Sequence, residues 1–124
     1  MNRAHIGIVV FTSVFMIVSC ATSMTPSQFL EKFPTSTSSK FYDRPSANET
    51  ISNGECRLLV NGRKYTSPIG FTVDGDLRNG AAGVDEWVRA DSGNAYILNN
   101  FEWISVGDQG ITQLIVYFDT LLCK

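Results

Sequence analysis

The chain has 124 residues, room for one small domain, and ten Lys and Arg against twelve Asp and Glu set its formal net charge at −2. That mild acidity is spread along the chain and gives no support for nucleic-acid binding, which calls for a basic patch. The only histidine is His5, so nothing after it supplies an imidazole for Ser-His-Asp or Cys-His catalysis, a general base or a metal site.

Arg3 is followed by thirteen uncharged residues, Ile6 to Val18, rich in Ile, Val and Phe. That length suits the apolar core of a signal peptide and falls short of the ~20 residues that cross a bilayer as a helix. The run ends in Ile17-Val18-Ser19-Cys20, with small Ser19 before the thiol. This pattern resembles the lipobox of bacterial lipoproteins. In that family the cysteine sulfur is joined to diacylglycerol, the chain is cut before it and the new amino group is acylated. The resemblance implies that residues 1–19 are a signal peptide and that Cys20 is a lipid-bearing N-terminus. Several acyl chains, each stabilised by ~0.8 kcal/mol per buried methylene, hold a protein stably on a membrane. The alternative is an ordinary secretory signal cut near Ala21 or Ser23, which discards Cys20. Removal of residues 1–19 takes Arg3 and His5 and no acid, leaving nine basic against twelve acidic residues. Ala21 is not the aspartate that retains such proteins in the inner membrane of enteric bacteria. By that family rule the expected location is the outer membrane, facing the periplasm.

Thr25-Pro26-Ser27-Gln28 reads as a helix start: Thr25 caps, Pro26 takes the first helical position and Gln28 completes a capping box. Phe29, Leu30 and Phe33 share one face before Pro34, where the helix is expected to stop. A helix near 26–33 is too short to stand alone and must dock on its own domain, the membrane interface or a partner. From Thr35 to Gly54 eight of twenty residues are Ser or Thr, with Pro45, Asn48, Asn53 and Gly54 among them. This composition reads as a linker, interrupted by the apolar island Phe41-Tyr42. Residues 20–54 are therefore expected to be a lipidated tether, which as a flexible coil spans roughly 30 Å and holds the domain clear of lipid. Asn48-Glu49-Thr50 matches a glycosylation sequon, which in a bacterial lipoprotein is a chance match.

Residues 55–124 are the expected domain. Cys56 to Val60 and Arg63 to Thr66 flank Asn61-Gly62, the signal of a two-residue hairpin. Pro68 and Gly70 break the pattern, Phe71-Thr72-Val73 suggests a short strand, and Asp74-Gly75-Asp76 a turn. Leu77, Ala81, Val84, Trp87 and Val88 then follow helical spacing, with Ala81 to Ala90 the firm part because Gly80 and Gly83 weaken the start. Ser92-Gly93-Asn94 ends the helix. Ala95 to Leu98 and Phe101 to Val106 read as strands around a bulge or tight turn at Asn99-Asn100, and Gly107 to Gly110 as a turn. Ile111 to Phe118 alternates Leu114, Val116 and Phe118 against Ile115 and Tyr117, as in an interior strand covered on both sides. The order predicts an α+β fold: a small antiparallel sheet with one helix packed on one face. With Cys20 lipidated, Cys56 and Cys123 remain as an even pair, and two such thiols in an exported chain pair as a disulfide. In the chain-entropy model that closure contributes roughly 4 kcal/mol, a large share for so small a domain.

Cys56, Leu77-Arg78-Asn79, Ala81-Ala82, Gly93-Asn94-Ala95 and Cys123 follow one plan. It resembles that of small YjeI-like and RcsF-like envelope lipoproteins, over about half of the chain after Cys20. The chain departs from the RcsF-like pattern in having two domain cysteines where that sensor has more. The resemblance implies the fold plan and an envelope role, and no more.

Candidate chemistry is sparse. Asp74-Gly75-Asp76 with Asn79 loosely suggests a calcium loop, but Arg78 stands at the fifth position and no glutamate at the twelfth. Asp85 and Glu86 are adjacent on a helix and point apart, so they cannot work as a paired acid and base. Ser92-Gly93-Asn94 lacks the flanks of a nucleophile elbow, and no glycine-rich loop with a lysine opens a helix. Tyr65, Trp87, Tyr96, Phe101 and Trp103 can form an aromatic binding surface, although a small domain needs at least three of the five in its core. Phe101 and Trp103 share one strand face. If the helix covers the other face, these two rings are exposed and form a docking site. The expected function is non-enzymatic and cofactor-free: a lipid-anchored protein that binds an envelope protein partner, in assembly, sensing or exclusion. The alternative is a lipoprotein that binds cell-wall glycan or peptide through the aromatic sheet face.

Overall fold

Thr25 begins the fold in the way its side chain dictates. In a computed structural model, which describes residues 24–106 and 111–124, its hydroxyl accepts from Gln28 N at 3.3 Å while Gln28 Oε1 accepts from Thr25 N at 3.1 Å. This capping box opens helix α1 (Pro26–Ser36). Pro34 does not end it: the helix continues for two residues, where one missing N–H costs little, and the last carbonyls are taken by hydroxyls. Thr35 Oγ1 donates to Lys32 O at 2.7 Å and Thr37 Oγ1 to Pro34 O at 3.0 Å.

The chain continues through β1 (Lys40–Tyr42), α2 (Arg44–Ser52), β2 (Cys56–Thr66), α3 (Val73–Ala90), β3 (Ala95–Val106) and β4 (Ile111–Cys123). The four strands form one sheet in the order β1-β3-β4-β2. The class is α+β, as the element order implies. The sheet is mixed rather than antiparallel, because β1 lies parallel to β3, with Lys40 opposite Ala95 and Tyr42 opposite Ile97. β3 and β4 run antiparallel, as do β4 and β2.

The expected tether is thus part of the fold. Phe29 and Phe33 are fully buried with Leu77, Val84, Val88, Leu114 and Phe118 beneath α1 and α3. On the opposite face Ala47 of α2 covers Ala95, Ile97 and Leu121. Three helices cover both faces where one helix on one face was expected. The Ser/Thr-rich stretch is not a linker because its polar groups have fixed partners. Asp85 accepts from Ser38 N at 2.8 Å and Ser39 N at 2.9 Å, and the Thr37 and Tyr96 hydroxyls lie 3.0 Å apart.

Two turns of sequence became irregularities within strands. Asn61-Gly62 is a bulge inside β2, within a register shift between Val60 and Arg63, rather than a hairpin turn. A type I′ turn needs positive φ at both central residues, and here only Gly62 has it, at 83°. Its N–H donates to buried Asp119 at 2.8 Å, which fixes the bulge against β4. The two strands expected around Asn99-Asn100 are one strand, β3, with a shift between Leu98 and Asn100. The turn expected at 107–110 lies outside the described residues.

α3 begins eight residues before its expected firm part. Thr72 caps it, accepting from Gly75 N at 3.0 Å, so Asp74-Gly75-Asp76 forms the first helical turn and Phe71 to Val73 is not a strand. Cys56 and Cys123 are bonded and lie opposite each other at the end of β2 and β4.

A candidate binding groove

Trp87 and Tyr65 are brought together by a close approach of helix to strand. Gly83 precedes Trp87 by one helical turn, so the two share a face of α3. A Cβ at Gly83 would stand 2.1 Å from the Tyr65 ring, so only glycine lets this ring of β2 lie against the helix. Tyr65, Gly83, Glu86, Trp87 and Ala90 line a groove of about 290 Å³ between α3 and β2. Trp87 keeps 37% of its surface exposed.

The groove wall is fixed electrostatically. Arg63 stacks its guanidinium over the Trp87 ring at 4.1 Å, a cation–π contact. Asp91 holds that guanidinium in fork geometry, accepting from Nε at 3.1 Å and also from Nη2, and Thr120 Oγ1 donates to the same carboxylate at 2.8 Å. The Arg63 hydrogen bonds keep the Asp91 carboxyl below the usual carboxylate range, and Asp91 raises the Arg63 pKa in turn. Glu86 stands exposed at the rim. Among the described residues β2 is an edge strand, paired with β4 alone, so its outer backbone groups near Tyr65 are unpaired within the sheet.

A second hollow, about 410 Å³, surrounds the disulfide and is lined by Gly54 to Arg57 and Leu122 to Lys124. It is larger, but it offers no aromatic ring and no clamped polar group, so its recognition chemistry is weaker.

The other expected site residues fall elsewhere. Phe101 and Trp103 share one sheet face, but it is the face that α1 and α3 cover. Phe29 of α1 stacks on Phe101 with centroids 3.8 Å apart and meets Trp103 edge-on at 5.5 Å. The Trp103 indole N–H donates to buried Asp76 at 3.3 Å, and Thr112 Oγ1 donates to the same oxygen. The aromatic sheet face is therefore not left open, because the helix assigned to a tether packs on it and leaves Phe101 and Trp103 only partly exposed. Tyr96 is buried as well, and burial pushes its pKa up to about 12. Core packing thus takes Tyr96, Phe101 and Trp103, and the remaining two rings line the groove. Asp85 and Glu86 diverge as a helix requires, one buried under residues 38–39 and one at the rim. Cys20 lies outside the described residues. Arg63, Gly83 and Asp91 were not anticipated. The usable signal was the spacing Gly83, Trp87, Ala90, which puts two small residues and one large ring on a single helix stripe.

Fold and groove together define a disulfide-stapled α+β domain with an open aromatic cleft. Comparison with protein-family models, with curated proteins and with solved structures finds no match to this chain.

Proposed function

We propose that this chain is a lipid-anchored cell-envelope protein that works by binding rather than catalysis, and that the groove of Tyr65 and Trp87 recognises another envelope protein. The observation that carries this reading is the groove itself: an exposed Trp held in one orientation by the Arg63–Asp91 pair, beside a Tyr ring. Orienting the ring before a partner arrives reduces the ordering cost of binding, and Trp, Tyr and Arg are the side chains that most often dominate protein interfaces. The adjoining edge of β2 favours a protein partner over a glycan, since an extended segment can add backbone hydrogen bonds there. Support for the envelope comes from Ile17-Val18-Ser19-Cys20 and from the Cys56–Cys123 bond, which belongs to an oxidising compartment. Lipid at Cys20 with Ala21 beside it fits the outer membrane, facing the periplasm. Among the described residues no helix is long and apolar enough to cross a membrane.

Placing a photoreactive side chain at Glu86 in the full-length lipoprotein tests the reading. Crosslinks to one envelope protein are expected, and Trp87→Ala should weaken that capture about tenfold or more, the usual effect of removing a central interface tryptophan. Crosslinks to wall fragments instead would favour the glycan reading. Unchanged capture by the Trp87→Ala protein would remove the groove from consideration.

A further inference from the structure

The segment Ser67 to Val73 carries no charge, yet two of its largest side chains face solvent: Ile69 is 52% exposed and Phe71 80%. It is not a loose loop. Gly70 N donates to Thr112 O at 2.9 Å and Thr112 N to Gly70 O at 3.0 Å, while Ser67 N is held by Leu114 O at 2.8 Å. A Cβ on Gly70 would point into the buried Asp76 carboxylate, so the side chains of its two neighbours are turned outward. The fold thus holds two large apolar groups in water by a fixed backbone. Burying such side chains elsewhere is favourable by roughly 1.5–3 kcal/mol each.

The position of this segment relative to the chain start says what covers it. Phe29, in the first turns of α1, meets Trp103 edge-on, Trp103 donates to Asp76, and Asp76 lies beneath Gly70. The entry to α1 and the Ile69–Phe71 segment are therefore at the same end of the molecule, and Leu30 of α1 is itself 50% exposed. Met24, which packs on the domain core, lies only four positions after Cys20. Four residues reach at most ~14 Å even when fully extended. A lipid on Cys20 accordingly places the bilayer surface within reach of this end, and not about 30 Å away as a long flexible coil would.

We propose that Ile69 and Phe71 insert into the lipid interface beside the acylated Cys20, so that the domain rests on the membrane in a fixed orientation with the Tyr65–Trp87 groove available to a partner. This rests on the lipid-anchor reading above. Acyl chains supply the affinity and the apolar pair supplies the orientation, since a single flexible anchor leaves a domain free to rotate.

The test uses full-length lipidated protein, parent and Phe71→Trp, in phosphatidylcholine vesicles with ordinary or brominated acyl chains. Phe71 is a surface side chain, so the substitution leaves the core intact. The emission added by the new tryptophan should fall by about half or more in brominated vesicles, as expected for a ring at the headgroup–acyl boundary. If Cys20 is lipidated, as the mass of the N-terminal peptide will report, and the added emission is unaffected by bromine, the insertion proposal is overturned while the anchor reading stands. If the N-terminal peptide carries no lipid, both fall together. Shielding of the new tryptophan from aqueous acrylamide that grows with protein concentration in lipid-free detergent would assign the patch to a second copy of the chain, and would equally overturn it.

Discussion

Tyr96 shows how a single buried side chain ties the first third of the chain to the sheet. Its ring packs edge-on against Phe33 and near Phe41, and its hydroxyl meets Thr37 at 3.0 Å. Burial disfavours the phenolate and outweighs the Thr37 hydrogen bond, and the nearby Asp85 charge adds to the effect, raising the pKa from 10.0 to about 12. A group whose folded pKa is raised contributes stability that is fully present below its unfolded pKa and lost as pH rises toward the folded one. The loss therefore falls between pH 10 and about 12, and amounts to about 2–3 kcal/mol. Tyr96→Phe removes the titrating group. The variant should lose about 1 kcal/mol at neutral pH, for the Thr37 bond, but show a markedly flatter decline across that alkaline window. Urea denaturation of both proteins at several pH values decides it, and equal alkaline slopes would refute the assignment to Tyr96.

Among the elements, α1 separates what local sequence reveals from what it hides. Its capping box and its Phe29/Phe33 face were legible, because capping involves groups three residues apart. Its partner was not, because the covering contact is to Phe101, 72 positions later in the numbering. The Ser/Thr content of residues 35–39 pointed to a linker, yet those groups are bound by Asp85 and Tyr96, whose positions only the tertiary fold supplies. Likewise Asn61-Gly62 signalled a positive φ correctly, and a bulge needs one as much as a hairpin turn does. The groove was half legible: Trp87 and Tyr65 stood out as aromatics, but Gly83 looked like a weak point of the helix when it is the contact that seats Tyr65. Truncation at α1 measures the difference between the two views of this segment. Phe29→Ala leaves a void among stacked rings and should cost about 3–5 kcal/mol. A side chain on a free tether would cost less than about 0.5 kcal/mol. Urea unfolding of the variant distinguishes these values easily.

At the scale of the whole molecule, the disulfide and the sheet order act together. β2 is an edge strand and so has one neighbour to hold it, and its register with β4 is interrupted at the Asn61-Gly62 bulge. The bond between Cys56 and Cys123 fixes one end of that pairing, and Arg63–Asp91 with Gly62–Asp119 fixes the middle. Because Tyr65 rides on β2, the same constraints hold the groove wall against α3. The two cysteines are 67 positions apart, and closing a loop of that size stabilises a fold by roughly 4 kcal/mol in the chain-entropy model. Small domains are stable by only about 5–15 kcal/mol in all, and for a domain near this size each 1 kcal/mol moves Tm by roughly 4–8 °C. The Cys56→Ala, Cys123→Ala double variant should therefore still fold, because α1 and α2 enlarge the core beyond residues 55–124, but melt roughly 15–30 °C lower. A core limited to residues 55–124 would leave too little margin, and the double variant would be unfolded at room temperature. Thermal unfolding followed by circular dichroism separates the two outcomes. A melting point unchanged from the parent would show that the pairing of β2 with β4 holds without its covalent end.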